Sequence, residues 1–513
     1  MKIVLRDFFA LIALLSLLLS SVSQLPKRGN VADITINTSA CEKITNIASN
    51  ANVWDMGTLF FDPQPEAQNN VFEFVRYVQL MQCTGGTAER DLFVDPYDTS
   101  TYTDYDFSGL IKNCRGIMSV GAKPHLKLGG VPLKFTSGYE MGGFAMNVYP
   151  PDDYTLYYDY IKAVAQSLVD EFGADEVLTW RFGCMTEYEN GDWFMAKSGT
   201  PEDSAQAFCK LYDYTVQALV DVLGDTVFVG AHSMSVTEGL WGEALLIKHI
   251  AEGTNYANGK KGTRVCFLSA SFYDSRPGEF TQGKTLPETV EYLRSTAESC
   301  GLDNLIYGVD EGRILCGNTR GASDDQLLNR TVGYTWQAAY DARLWKQGIE
   351  SGLDYFSSWG YLSNGLFSGY PTVSYHVAKN LALFAGSVKT QAKADIKKSY
   401  EGVEIDCLSA WDREASVLRI MAYNFKNDPA YDKTAQLNFT IDLPEFDGKT
   451  VKITKRTVSD DCNFFDEWQE DRKTYNIGNN SFSWSPDDPC LDNITTLSDA
   501  AAREIYFNNL RDG

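Results

Sequence analysis

From about residue 51 to residue 385, short apolar runs that are typical of buried strands alternate with helical patterns. The clearest helix has Ile161, Val164 and Leu168 on one face and stops at Gly173. Eight strand-like runs occur, at Val53–Asp55, Phe74–Leu80, Lys123–Leu128, Val177–Phe182, Phe228–Ala231, Val265–Ser269, Ile306–Val309 and Leu353–Ser358. Eight strand–helix units predict an α/β fold, a (β/α)8 TIM barrel. A doubly wound sheet is the alternative, but no Gly-x-Gly-x-x-Gly follows the first strand.

The chain has 513 residues, more than one compact core usually holds. After about residue 386 the pattern becomes all-β, with strands expected at Val403–Leu408, Val417–Tyr423, Ala435–Ile441 and Val451–Lys455. We therefore expect a barrel domain at 51–385 and a C-terminal β-sandwich domain at 386–513. An N-terminal β segment at 24–50 can pack on that module, because chain termini often lie close together.

Residues 1–23 have the pattern of a signal peptide, with Lys2 and Arg6 before the apolar run Phe8–Leu19 and small residues after it. This predicts a secreted protein, either extracellular or in a secretory or lysosomal-type lumen, and no membrane partner for the mature form. A signal anchor is the weaker alternative. Five N-glycosylation sequons support the same route mildly. They begin at Asn37, Asn329, Asn438, Asn479 and Asn493.

Eleven cysteines remain after the predicted cleavage site, an odd number. In an oxidising compartment some should pair and at least one should stay free or pair between molecules. Cys462 and Cys490 are the preferred pair, and Cys184 is expected to be a buried thiol.

Two of the predicted strands end in acidic residues. Trp180–Phe182 leads to Thr186-Glu187, and Ile306–Val309 leads to Asp310-Glu311. Acids at the exit of a buried strand are costly unless they have a task or a partner. The carboxyl ends of barrel strands carry the catalytic side chains, so Glu187 and Glu311 would meet at one mouth. Two carboxylates at this mouth suit glycoside hydrolysis. A distance of about 5–5.5 Å between the carboxyl groups gives retention of the anomeric configuration, and about 6.5–9.5 Å gives inversion.

Each acid has a competitor beside it. Glu189 competes with Glu187 if the strand is shorter than expected, and alternation sends Tyr188 the other way. Asp310 competes with Glu311, because adjacent strand residues face opposite sides. A salt-bridged or surface-loop role is the alternative for all four acids.

The motif Trp180-x-Phe182 followed by Thr186-Glu187 is similar to one in family 39 of the glycoside hydrolases, in clan A. That family includes β-xylosidases and α-L-iduronidases, and its strand-4 motif is Trp-x-Phe-Glu-x-Trp-Asn-Glu-Pro, where the last Glu is the acid/base. Further segments match in order and spacing, at Tyr105–Phe107, Gly121–Leu128, Asp153–Gly173 and Val229-Gly230. The resemblance covers about residues 50–385 and implies Glu187 as acid/base and Glu311 as nucleophile of a retaining reaction.

The chain departs from that motif at several positions. Thr186 stands where the family has the Asn that contacts the sugar 2-hydroxyl. Met185, Tyr188 and Gly183 replace Trp, Pro and Glu, and Ser271-Phe272-Tyr273 replaces His-x-Tyr.

Five residues are candidates for substrate binding: Thr186, Tyr273, Trp359, His125 and Arg76. Trp359, after strand 8, is placed as a platform under the sugar, and the resemblance implies the same; core packing is the alternative. Tyr273 could hydrogen-bond the nucleophile, whereas His125 could be a buried structural histidine. Arg76 and Arg313 could hold a carboxylate of the enzyme or of a uronic acid, with a structural ion pair as the alternative.

The formal net charge of −23 argues against nucleic acid and anionic membranes as partners. The four histidines form no His-Glu-x-x-His motif, and the chain has no Gly-x-Ser-x-Gly elbow and no P-loop. We therefore expect no cofactor and no metal, and an oligo- or polysaccharide as the substrate. The sequence predicts a secreted retaining glycoside hydrolase of O-glycosidic bonds, first of a β-xyloside. The alternatives are an inactive barrel that binds carbohydrate or cell wall, and a transglycosylase that uses the same two glutamates.

Overall fold

The structure, a computed structural model, describes residues 29–37, 42–53, 73–81, 83–234, 239–276, 279–280, 284–314, 335–358, 373–428, 431, 433–446 and 448–459. Its central feature is a closed barrel of eight parallel strands. These are β2 (Asn50–Val53), β3 (Tyr77–Leu80), β4 (Lys123–Leu128), β5 (Arg181–Cys184), β6 (Val229–Ser233), β7 (Phe267–Arg276), β9 (Ile306–Ile314) and β10 (Tyr355–Ser358). The pairing of β6 with β7 and of β10 with β2 closes the ring. A two-residue strand, β8 (Glu279–Phe280), pairs antiparallel with the end of β7.

Helices pack around the barrel because each presents one apolar face to the strands. The described helices are α1 (Ser108–Ser119), α2 (Tyr154–Phe172), α3 (Ala174–Val177), α4 (Pro201–Leu223), α5 (Ala244–Glu252), α6 (Leu286–Ser299), α7 (Thr335–Glu350) and α8 (Val373–Ala382). Helix α2 begins at the Asp153 cap and ends at Gly173, whose φ of 84° suits glycine. Its predicted apolar face is buried at Ile161, Val164 and Leu168. The predicted TIM barrel is therefore confirmed, with all eight strands at or next to their expected places.

The fourth strand is shifted from its predicted bounds, Val177–Phe182. Val177 ends the short helix α3, and the Trp180 amide still donates to the Val177 carbonyl at 3.0 Å. The turn is also held by the Trp180 indole, which donates to the Glu176 carboxylate at 3.0 Å. The strand therefore starts at Arg181 and runs to Cys184, which leaves two residues, Met185 and Thr186, before Glu187.

Two three-stranded sheets build the C-terminal part. Strand β13 (Val403–Asp412) lies between β11 (Val388–Lys389) and β14 (Val417–Lys426). Strand β1 (Asn30–Asn37) lies between β12 (Gln391–Lys398) and β15 (Ala435–Asp442), antiparallel to the first and parallel to the second. The N-terminal segment thus joins the C-terminal module. The predicted strand at Val451–Lys455 is wrong: these residues have no regular structure, and Ile453 is 85% exposed with no strand beside it in the described chain.

The thiols that the structure describes are all free. They are Cys83, Cys114, Cys184, Cys209, Cys266, Cys300 and Cys407, and Cys184 is buried as expected. The preferred pair, Cys462 and Cys490, lies outside the described residues. No helix in the described part of the chain is long and apolar enough to cross a membrane.

Candidate active site

The turn after β5 has an unusual backbone. Met185 has a φ of 62° and Glu187 a φ of 44°, in the left-handed region that non-glycine residues rarely adopt. Such conformations persist where the surroundings enforce them, and they cluster at functional sites. The two kinks flank Thr186, which is fully buried, and leave Glu187 only 8% exposed. The turn therefore aims Thr186 and Glu187 in fixed directions at the carboxyl end of the barrel strands.

Three side chains hold the Glu187 carboxylate. The Ser271 hydroxyl of β7 lies 2.7 Å from Oε1, and the Asn190 amide donates to Oε2 at 3.2 Å. The Trp193 indole donates to Oε2 at 3.0 Å, and its ring stacks on Phe144 at 4.2 Å. Phe144 itself is 45% exposed. Glu187 is thus fixed between the barrel interior on one side and, on the other, the buried Trp193 ring that the exposed Phe144 covers.

A β-bulge places Glu311. In the pairing of β9 with β7, Val309 opposes Ala270 and Glu311 opposes Ser271, so Asp310 is the extra residue. A bulge of this kind re-aims side chains, and bulges are frequent beside active sites. Asp310 and Glu311 are consequently both buried and both make contacts inside the barrel, which strict alternation would forbid. The alternation on which the choice between Asp310 and Glu311 was based is therefore interrupted at these two residues.

The bulge leaves the Asp310 carbonyl outside the ladder, and two amide side chains satisfy it. Asn52 Nδ2 donates to this oxygen at 2.9 Å and Gln79 Nε2 at 3.0 Å. Both residues are buried on strands β2 and β3, across the barrel from β7. The position of Glu311 is therefore anchored by strands that lie on the other side of β10.

Two hydroxyl groups contact the Glu311 carboxylate. Thr186 donates to Oε1 at 3.1 Å, and Tyr273 donates to Oε2 at 3.1 Å. Thr186 is the neighbour of Glu187 in the chain, so its contact with Glu311 brings the two glutamates to one end of the barrel. The structure also connects them through a histidine: His232 Nδ1 lies 2.9 Å from Thr186 Oγ1, and Nε2 lies 2.9 Å from Ser271 Oγ.

Beneath Glu311 lies a buried ion pair between Lys127 of β4 and Asp310. Tyr355 also donates to Asp310, at 2.6 Å. Burial alone would raise the pKa of Asp310, but the Lys127 ammonium and the nearby His125 and His232 rings lower it well below its usual range. Burial also lowers the pKa of Lys127, against the attraction of Asp310. Asp310 is therefore an ionised structural group in a site already neutralised by Lys127.

Glu189 points away from this cluster. Ser233 donates to its Oε1 at 2.6 Å and the Met234 amide donates to the same atom at 2.9 Å. Burial raises the pKa of Glu189 to about 8, and the negative charge of Glu243 adds to the effect. Tyr188, between the two glutamates, stacks on Phe208 at 4.8 Å. The structure thus brings Glu187 to Ser271 and leaves Glu189 under the end of β6.

The other predicted site residues are dispersed. His125 is buried deeper in the barrel, edge-on to Phe267 at 5.4 Å, and burial holds its pKa well below the usual value. Arg76 is exposed just before β3 begins, at the end of the barrel opposite the glutamates, so the geometry lends no support to a substrate contact. Arg313 forms a buried pair with Asp341 at 2.7 Å. Trp359 lies outside the described residues.

Four residues of the site were not predicted from the sequence: Ser271, His232, Trp193 and Lys127. One available indication was alternation, because His232 follows the run Phe228–Ala231 and Lys127 lies two residues after His125. Among the described residues, no group of three or more His, Cys, Asp or Glu side chains could hold a metal ion.

Comparison with known proteins assigns the chain to a family. The profile of Glycosyl hydrolases family 39 matches residues 71–396, which include β3 to β11, most of β12 and both glutamates. This protein belongs to glycosyl hydrolase family 39. The resemblance of the Thr186-Glu187 motif to family 39 is thereby confirmed, with Glu187 and Glu311 in the matched region.

Relatives within and around family 39 are distant in sequence. An α-1,4-L-rhamnosidase from Formosa agariphila is 24% identical over 340 residues, which is 63% of this chain and 61% of that protein, so the match spans about three fifths of the relative. Among solved structures, a monomeric β-xylosidase from Caulobacter crescentus has a TM-score of 0.52 at 16% identity, covering 80% of this chain and 84% of the other. A bacterial orthologue of human α-L-iduronidase has a TM-score of 0.56 at 14% identity, and the match covers 80% of this chain and 68% of the other. At these identities the structural matches show a shared fold.

Proposed function

We propose that this protein is a retaining glycoside hydrolase in which Glu187 is the acid/base and Glu311 the nucleophile. The observation that carries the proposal is the contact of Thr186 with Glu311 at 3.1 Å, since Glu187 is the next residue and both carboxylates lie at the strand ends. Membership of glycosyl hydrolase family 39 supports it. Lys127 supports the division of roles, because it neutralises Asp310 and leaves Glu311 as the carboxylate at the mouth.

The reaction would proceed in two displacements. In the first, Glu311 Oε attacks the anomeric carbon, the glycosidic bond breaks, and Glu187 gives its proton to the leaving oxygen. In the second, Glu187 takes a proton from water, the water oxygen bonds to the anomeric carbon, and the ester to Glu311 breaks. Ser271, Asn190 and Trp193 hold the Glu187 carboxylate, and Thr186 and Tyr273 hold that of Glu311. Such fixed positions lower the barrier by orienting the reacting groups in advance.

The first substrate to test is a β-xyloside. The shared fold with a β-xylosidase supports this choice, whereas the α-1,4-L-rhamnosidase relative argues for including an α-L-rhamnoside. An α-L-iduronide belongs in the panel as well, since one structural neighbour is related to an iduronidase.

We also propose that the leaving group stacks against Phe144. The Phe144 ring stacks on Trp193, whose indole donates to Glu187, so this exposed ring lies near the acid/base. Phe144→Ala should lower kcat/KM for aryl glycosides and oligosaccharides about fivefold, because the lost stacking is worth on the order of 1 kcal/mol. Glycosyl fluorides have no leaving-group ring, so their kcat/KM should stay unchanged. An equal loss on both kinds of substrate would contradict this placement.

We propose that the protein is secreted, because of the predicted signal peptide and the sequons. Their residues lie outside the described structure or at its surface. N-terminal sequencing of protein recovered from the culture medium tests this directly. A mature terminus near residue 24 supports secretion, and retention of Met1 would contradict it.

Activity on the panel tests the proposed function, with wild type beside Glu187→Gln and Glu311→Gln. Glu311→Gln should lose on the order of 10⁴-fold or more in kcat on every substrate, because no covalent intermediate can form. Glu187→Gln should lose about 10²–10⁴-fold on substrates with poor leaving groups and far less on activated ones, which need no proton. Glu189→Gln is the matched control, a buried glutamate two residues away that should keep its activity.

Several outcomes of the same experiment would contradict the proposal. If the two variants match the wild type on every substrate it cleaves, or if the wild type binds glycans and cleaves none, the enzyme assignment is wrong. If an added acceptor sugar captures nearly all product, the protein is a transglycosylase.

A further inference from the structure

A continuous chain of four contacts joins the two glutamates. Glu187 Oε1 lies 2.7 Å from Ser271 Oγ, and Ser271 Oγ lies 2.9 Å from His232 Nε2. His232 Nδ1 then lies 2.9 Å from Thr186 Oγ1, and Thr186 Oγ1 lies 3.1 Å from Glu311 Oε1. All three linking residues are at most 1% exposed, so the described protein shields the chain from bulk water.

The number of protons shared among these four contacts restricts the protonation states that the linked groups can adopt. Each hydroxyl supplies one proton and a neutral imidazole supplies one, which makes three protons for four contacts. All four contacts are hydrogen bonds only when a fourth proton is present, either on the imidazole or on a carboxyl group. Burial, followed by the Lys127 charge, lowers the pKa of His232 well below its usual value, so the ring is neutral. The fourth proton therefore belongs to one of the two glutamates.

The surroundings of His232 set the direction of the chain. Asp310 Oδ2 lies 3.8 Å from Nδ1, too far for a hydrogen bond; although Asp310 is paired with Lys127, its carboxylate favours a proton on this nitrogen rather than on the more distant Nε2. Nδ1 then donates to Thr186, and the Thr186 hydroxyl donates to Glu311, which is ionised. At the other end Nε2 accepts from Ser271, whose oxygen accepts from a protonated Glu187.

We propose that His232 is a positioning residue that keeps the proton on Glu187 and the negative charge on Glu311 in the resting enzyme. The inference rests on the proposed function and extends it, since these are the states that an acid and a nucleophile need before the first displacement. When Glu187 has given up its proton, the Ser271 hydroxyl turns to the new carboxylate and stabilises it as the base of the second displacement. His232 itself touches neither substrate nor water in this scheme.

The charged and titratable groups that face His232 come from three elements. Lys127 and His125 lie on β4 and Asp310 on β9, and the two glutamates act through Thr186 and Ser271. The Lys127–Asp310 pair keeps its charges at neutral pH. As pH rises, the chain of hydrogen bonds therefore changes only when Glu187 or Glu311 changes its protonation.

Nitrogen NMR of the full-length protein with ¹⁵N-labelled histidine tests the direction without any substrate. The His232 signals are assigned by their loss in His232→Gln. We expect a neutral ring with its proton on Nδ1, and a change of these signals at high pH when Glu187 loses its proton. Glu187→Gln, whose amide still donates to Ser271, should abolish that change. A proton on Nε2, an imidazolium at neutral pH, or signals indifferent to Glu187→Gln would overturn the proposal.

The pH dependence of kcat/KM separates positioning from general structural support. In His232→Leu the Ser271 hydroxyl is free to donate to ionised Glu187 and so stabilises the ionised form. The basic limb of the kcat/KM profile should therefore move down by about one pH unit. His232→Gln, whose amide can accept from Ser271 and donate to Thr186, should restore it. Thr186→Val removes a donor to Glu311 and should raise the acidic limb instead. His249→Gln, outside the site, is the control and should leave both limbs unmoved.

A loss of activity in His232→Leu without any shift of the limbs would show a merely structural role. If the NMR result holds but no glycoside is cleaved, the proposed function fails while the proton arrangement stands.

Discussion

At the residue scale, Gly183 leaves the space that the buried Lys127 side chain occupies. A Cβ atom at position 183 would lie 2.9 Å from Lys127 Cδ and 3.1 Å from Nζ. Glu at this position, as in the related motif, would meet the same side chain. Glycine at position 183 therefore makes room for the Lys127–Asp310 pair. A buried pair of this kind is costly to break, because the remaining charge would have no partner.

Thr186 and Ser271 are two further departures, and they share one partner. Both hydroxyl groups contact the His232 ring, from Nδ1 and Nε2 respectively. Neither residue revealed this in the sequence, because His232 lies on a third strand and only the closed barrel brings the three together. These two departures from the family motif thus form one connected group with His232 in this protein.

Glu189 should give the stability of the protein a measurable pH dependence. Its pKa of about 8 in the folded state lies above the ordinary value of 4.5. The folded state therefore binds this proton more tightly, and the stabilisation is full below about pH 4.5 and is lost as pH rises through about 8. Glu189→Gln should remove a pH-dependent part of the free energy of unfolding on the order of a few kcal/mol. Urea unfolding at several pH values measures this part. The same slope of unfolding free energy against pH in the wild type and in Glu189→Gln would contradict the assignment of the pH dependence to Glu189.

At the scale of elements, the bulge in β9 decides the geometry of the site. The strand itself is predictable from its apolar run, but the extra residue at Asp310 is not, because a bulge leaves no periodic trace in nine residues. The start of β5 was equally hidden, since Val177–Trp180, just before the strand, is apolar enough for a strand yet forms a helical turn. Sequence periodicity therefore located both acids at strand ends and missed how each is aimed.

The two amides on the Asp310 carbonyl should act together. Asn52→Leu or Gln79→Leu alone leaves one donor in place, so each should cost about 1 kcal/mol of unfolding free energy beyond its packing change. The double variant leaves the buried carbonyl without either donor and should cost more than the sum by about 1–2 kcal/mol. It should also lower kcat through a displaced Glu311. A double-mutant cycle in guanidinium measures the coupling, and strict additivity would show that the amides do not anchor the bulge.

At the scale of the whole molecule, β1 joins the two ends of the chain. It forms the middle strand of a sheet whose other members, β12 and β15, lie more than 350 residues later. The sequence predicted that the N-terminal segment could join the C-terminal module, on the general proximity of chain termini. Its parallel pairing with β15 could not be predicted, because register depends on side chains from both strands.

Ile34 tests how much β1 supports the module. It is fully buried, and Ile34→Ala should lower the free energy of unfolding by about 2–4 kcal/mol through the lost contacts and the cavity. Thr35→Ala, on the exposed face of the same strand, is the matched control and should change it by under about 0.5 kcal/mol. Equal effects in thermal unfolding would mean that β1 does not pack as a core strand.

The central claim is that Glu311 forms a covalent bond with the sugar while Glu187 supplies the proton. The most direct test incubates the protein with a 2-deoxy-2-fluoro glycoside of a sugar that it cleaves, and then locates the label by peptide mass spectrometry. We expect one glycosyl group on Glu311, formed in the wild type and in Glu189→Gln and absent in Glu311→Gln. A label on Glu187, Glu189 or Asp310, or turnover that never leaves a labelled enzyme and gives inverted product, would contradict it.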